Sequence, residues 1–91
     1  MNKTRRKGLA LQADKLENLM AELANIKEEI ESLRDEEDDA YNSLPENLQD
    51  SDRGCDMQEN IDSLEEVVDA LDSVNDELDE AFSTLNEVIE R

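Results

Sequence analysis

Apolar residues in the second half of the chain recur with alternating spacings of four and three. Leucine or methionine fills every seventh position: Met57, Leu64, Leu71, Leu78 and Leu85. A second series follows each by four residues: Ile61, Val68, Asn75, Phe82 and Ile89. This is the seam of a coiled-coil helix, and its strict seven-residue period implies left-handed winding against a partner helix.

The first half carries a comparable pattern. Its a positions are Leu9, Leu16, Leu23, Ile30, Glu37 and Leu44, and its d positions are Gln12, Leu19, Ile26, Leu33 and Ala40. The pattern predicts a helix over residues 9–42, preceded by a flexible basic tail over 1–8 with Gly8 as the boundary. Pro45 cannot continue a helix. Ser43 and Glu46 are spaced as a capping box around Pro45, predicting a short helical turn within 43–51. Ser51 or Asp52 is a suitable N-cap for a second long helix over 52–90.

Two seams joined by a short connection predict an antiparallel hairpin. Layers whose residue numbers add up to 101 pair Leu44 with Met57, Leu33 with Val68, Ile30 with Leu71 and Leu16 with Leu85. In that register Ile26 meets Asn75, Glu37 meets Leu64 and Gln12 meets Ile89. Asn75, alone among apolar seam residues, is a candidate register-setting position.

The apolar stripe is wider than one hairpin requires. Ala13, Met20 and Tyr41 flank the first seam, and Val67, Val74, Ala81 and Val88 flank the second. A flank beside the seam suits a bundle, so the expected fold is all-α, a helical hairpin dimerising into a four-helix bundle. Met20, Tyr41, Val67, Val74, Ala81 and Val88 are the candidate oligomer interface.

The distribution of charge bears on the kind of partner. Of the residues, 40% are charged, and 27 acids against 9 bases give a formal charge of −18. Lys3, Arg5, Arg6 and Lys7 hold four of the bases, so residues 8–91 carry 27 acids against 5 bases, or −22. A body of that sign repels nucleic acid and anionic membranes and attracts basic protein surfaces. The acids of the second helix repeat on its outer positions: Asp62, Asp69 and Asp76; Glu65, Asp72 and Asp79; Glu66, Glu80 and Glu87. Over a rod of roughly 50 Å the net charge approaches the linear density of duplex DNA. Asp62, Glu65, Glu66, Asp69, Asp72, Asp76, Asp79 and Glu80 are therefore the candidate partner-binding residues.

Chemistry is scarce. The chain has no His and one Cys, Cys55, so it offers no His-based catalysis, disulfide framework or cysteine zinc site. Asp50-Ser51-Asp52 begins like a calcium loop, but Cys55 and Ile61 stand where such a loop needs Gly and Glu. Asp35-Glu36-Glu37-Asp38-Asp39 is a dense acidic run whose carboxylates point around the helix, reading as a solvated collar. The expectation is a non-enzymatic protein with no metal or cofactor. No stretch reads as a membrane span, and the single cysteine suits a reducing cytoplasm.

The segment Asp35-Glu-Glu-Asp-Asp-Ala-Tyr-Asn-Ser-Leu-Pro-Glu-Asn-Leu-Gln-Asp-Ser-Asp-Arg-Gly54, followed by Ile61-Asp-Ser-Leu-Glu-Glu, resembles small acidic proteins encoded by phages and prophages of Gram-positive bacteria. The basic start Met1-Asn-Lys-Thr-Arg-Arg-Lys is similar too. The resemblance implies a phage context in the host cytoplasm. There, an acidic protein can inhibit a host defence nuclease or another DNA-binding protein by imitating DNA. The alternative is a structural or scaffolding coiled-coil module.

Overall fold

Asn2 opens the first helix. Its side-chain oxygen accepts a hydrogen bond from the Arg5 amide at 2.8 Å, satisfying one of the free N–H groups of the first turn. In the computed structural model, which describes residues 1–91, helix α1 accordingly spans Lys3–Asn42. The basic residues expected to form a tail instead make up its first turns. Gly8 lies within the helix, because a good cap six residues earlier outweighs the modest helical cost of one glycine.

Helix α1 stops at Ser43, whose backbone N–H donates to Asp39 O at 3.0 Å and whose hydroxyl donates to the same carbonyl at 2.9 Å. The expected capping box is not formed. Ser43 closes α1, and Pro45 itself is the N-cap of the single-turn helix α2, Glu46–Gln49. Ser51 then caps helix α3, Asp52–Glu90, accepting from the Gly54 amide at 3.3 Å. α1 packs along α3 as a helical hairpin with no strands. The molecule is a rod of 69 × 15 × 14 Å.

The seam of α3 is as its spacing predicts: Met57, Ile61 and Val68 are buried, and Leu64, Leu71, Asn75, Leu78, Phe82, Leu85 and Ile89 are half-buried. The seam of α1 is displaced by one column. Its a and e positions are sheltered, namely Leu9, Ala13, Leu16, Met20, Leu23, Lys27, Ile30, Arg34, Glu37, Tyr41 and Leu44, with Arg6, Ala10 and Glu31 half-buried beside them. The d residues expected to pack inside face water: Leu19 and Leu33 are 50% exposed and Ile26 47%, with Gln12 and Ala40 also exposed.

The register shifts with the face. Lys27 pairs with Asp72, Glu37 accepts from Asn60 Nδ2 at 3.1 Å, and Leu23 and Lys27 border one shallow cleft with Leu71 and Asn75. These contacts place opposite one another seam residues whose numbers add up to 98, not 101. Extended along the hairpin, this register sets Ala13 level with Leu85, Leu23 with Asn75, Tyr41 with Met57 and Leu44 with Gly54.

The tip enforces this arrangement. Gly54 is buried against α2, and a Cβ there would lie 2.6 Å from Gln49 C and 2.8 Å from Leu48 O. Such an approach draws α3 back along α1 by three residues relative to the expected layers, which rotates a different column of α1 inward. The exchange also suits charge. Lys27 and Arg34 sit in the e column, their stems covering the seam while their heads reach carboxylates.

Asn75 remains the one polar residue in the α3 seam, half-buried opposite Leu23 and beside that cleft. Replacing it with Leu adds an apolar layer. Asn75→Leu is expected to raise the melting temperature by about 5 °C, corresponding to about 1 kcal/mol, and to broaden the assembly states. Thermal denaturation with sedimentation analysis checks both; an unchanged midpoint and an unchanged mass would remove Asn75 as a register device.

Candidate acidic interface

Two long faces of the hairpin differ in kind. On the first, the register brings the outward d column of α1 alongside the g column of α3, setting Leu33 level with Val67, Ile26 with Val74 and Leu19 with Ala81. Val67 and Val74 are 41% and 43% exposed, Ala81 is exposed and Val88 is half-buried. Met20 and Tyr41, expected on an outer flank, are instead half-buried in the seam between α1 and α3. The apolar flank of α1 therefore consists of Leu19, Ile26 and Leu33, which the sequence pattern assigns to the interior.

The opposite face and the back of α3 carry the acids. Asp62, Glu65, Glu66, Asp69, Asp72, Asp76, Asp79 and Glu80 are all exposed. With Glu59, Glu87 and Glu90, eleven carboxylates stand on the b, e and f columns of this helix. Over Glu59–Glu90 they are spaced about 4.5 Å apart along the axis, against about 3.4 Å between phosphates of one DNA strand. Across the whole rod, 18 net charges over 69 Å give about one per 4 Å, less than half the duplex density. The expected equivalence to duplex DNA is thus too high, because α1 starts at Lys3 and the rod is longer than the predicted helices imply.

Two cations missing from the sequence-based site temper this face from within. Lys27 bridges Glu31 at 3.4 Å and Asp72 across the hairpin. Its pKa is raised from the ordinary lysine value, first by the hydrogen bond to Asp72, working against desolvation, then by the Asp72 and Glu31 charges. A raised lysine pKa means that this pairing is present below the unfolded value near 10.5 and fades as pH rises through the folded one, so it holds throughout the neutral range. Arg34 bonds Asp35 at 3.1 Å, with Glu65 and Glu31 adding favourable charge, and its pKa is also raised. Asp72 is therefore paired within its own chain, and Glu65 lies within the field of Arg34. Asp62, Glu66, Asp69, Asp76, Asp79 and Glu80 are the outward set. A seven-residue e column reading Ala13, Met20, Lys27, Arg34, Tyr41 is the signal in the sequence for the two cations, once charged residues are counted as seam members.

No family model, no curated protein and no solved structure matches the chain.

The remaining chemistry is sparse. No group of three or more acidic or cysteine side chains converges as a metal site, including at Asp35–Asp39. Cys55 is a free, exposed thiol whose Sγ lies 4.0 Å from Asp50 O. The cleft bordered by Leu23, Ala24, Lys27, Leu71, Asp72 and Asn75 holds only about 120 Å³, well below the size of a usual small-ligand site. No helix is long and apolar enough to cross a membrane.

Proposed function

We propose that this protein is a non-enzymatic acidic binding protein whose carboxylate face occupies a basic protein surface, such as the nucleic-acid groove of a nuclease or another DNA-binding protein. The supporting observation is the segregation of charge. Eleven acids share the b, e and f columns of α3, while its g and c columns hold Val67, Ala70, Val74, Ala81 and Val88 with few charges. A row of carboxylates at near-phosphate spacing on a rigid helix offers a basic groove the periodic negative charge it is built to receive. The phage-encoded, anti-defence role implied by the sequence resemblance is the sharpest form of this reading, acting in the host cytoplasm. The same reading joins two hairpins into a four-helix bundle. A scaffolding coiled coil is the second reading, favoured by the exposed apolar face.

A pull-down from bacterial lysate at 50 and 500 mM NaCl, with and without competing duplex DNA, tests the proposal. The captured protein is expected to be basic, to be lost at high salt and to be displaced by DNA. Asp69→Lys, Asp76→Lys and Asp79→Lys combined should abolish capture while leaving helicity intact. Salt-resistant capture that survives these changes would favour the scaffold.

A further inference from the structure

We propose that the exposed apolar face is covered by a second copy of this chain, stacked antiparallel about a two-fold axis at the level of Ile26 and Val74. The inference rests on the pairing of two hairpins proposed above and adds which face and which direction. The three rungs Leu33–Val67, Ile26–Val74 and Leu19–Ala81 repeat every seven residues along one side. Their column in α1 is apolar from Leu19 through Ala40, yet it faces water, while the e column turned inward in its place holds Lys27 and Arg34. A continuous apolar strip of this kind marks an interaction surface on a soluble rod. The three rungs span about 21 Å of the axis, and stacking centred on them overlaps residues 10–42 of α1, about 50 Å of a rod 15 Å wide, close to the about 800 Å² per partner of a standard interface.

The occupant is a second copy because the strip is self-complementary. Rotation about the middle rung puts Ile26 against Ile26 of the partner subunit, and the Leu19 end against the Leu33 end. Charge selects the direction. The start of α1, with Lys3, Arg5, Arg6 and Lys7, lies at the open end of the hairpin. Asp35–Asp39, Glu46, Asp50 and Asp52 crowd the tip. Antiparallel stacking lays each basic end over the other copy's acidic tip and brings Lys15 level with Glu36 of the partner subunit. Parallel stacking sets tip on tip, carboxylates on carboxylates. The acids on the b and e columns of α3 point away from the covered side, so both binding faces stay open. Glu22 comes level with Glu29 of the partner subunit, a like-charge pair that salt screens. Each copy also carries a net charge of −18, and this overall repulsion outweighs the local attractions at the ends, so self-association should strengthen with salt while binding to a basic target weakens.

Sedimentation equilibrium at 100 and 500 mM NaCl is the first measurement, on the intact chain, on Val74→Asp and on Ile26→Asp. The second is mild oxidation of an Ile26→Cys, Cys55→Ser variant. The intact chain is expected at twice 10.4 kDa, and both Asp variants at 10.4 kDa with retained helical circular dichroism. Ile26→Cys should cross-link to a covalent dimer. A dimer that persists in both Asp variants, or that fails to cross-link through residue 26, overturns this face and direction while leaving the pairing of hairpins intact. A monomer under all conditions overturns both. Neither result bears on the acidic face, which the pull-down tests separately.

Discussion

Gly54→Ala is expected to lower the melting temperature by on the order of 10–20 °C, a loss of about 2–3 kcal/mol. The added methyl would sit 2.6 Å from Gln49 C and closer still to its carbonyl oxygen. Both are backbone atoms of α2, which cannot rotate away as a side-chain end could. Relief requires moving α2 off α3, opening the tip that sets the register. Alanine's better helix propensity returns only about 1 kcal/mol. Gly8→Ala is the matched control, since nothing lies within 4 Å of its added Cβ. That variant should gain about 0.5–1 kcal/mol and melt a few degrees higher. Thermal scans at one protein concentration check both, because association makes the midpoint concentration-dependent. Equal gains at the two glycines would show that α2 is not held against α3.

The second large effect distinguishes the two possible seams of α1. Ala13 is 5% exposed and level with Leu85, whereas its neighbour Gln12 is exposed. Ala13→Glu brings a long charged side chain into a layer shaped for a methyl group, and should cost about 2–3 kcal/mol. Gln12→Glu, one residue away, should change stability by no more than about 0.5 kcal/mol. With the d column inside, the order would reverse, because position 12 would then meet Ile89. Chemical denaturation of the two variants therefore reads the face directly. A larger loss at position 12 than at 13 would restore the register with layers adding up to 101.

The two predictions share a cause. A tip closed around a side-chain-free position brings α3 back early, and the antiparallel register follows from where the chain returns. A shift of three residues moves the inward-facing column of α1 from Leu19, Ile26 and Leu33 to Met20, Lys27 and Arg34. Residues that look like core then become surface, and residues that look like surface become seam. The acidic site is affected less, because the outer columns of α3 are defined by its own seam. The two cations that temper it come from the displaced column.

The pattern along the chain specifies two long helices with a Pro-marked break, and makes the series from Met57 to Ile89 the inward side of α3. It also determined that the acids of α3 stand outside that seam. These are local or periodic properties, set by helix geometry within one segment. The start of α1 at Lys3 differs from the expected start at residue 9, because the basic run and Gly8 argue for a tail while the Asn2 cap carries the helix through both. The register, the inward column of α1 and the continuity of the exposed apolar face are instead set by how the two helices meet. Each depends on how closely two distant segments approach at Gly54, and three apolar or amphipathic columns compete on α1 for two inward places. Periodicity identifies the competitors; the close approach of Gln49 to Gly54 selects among them.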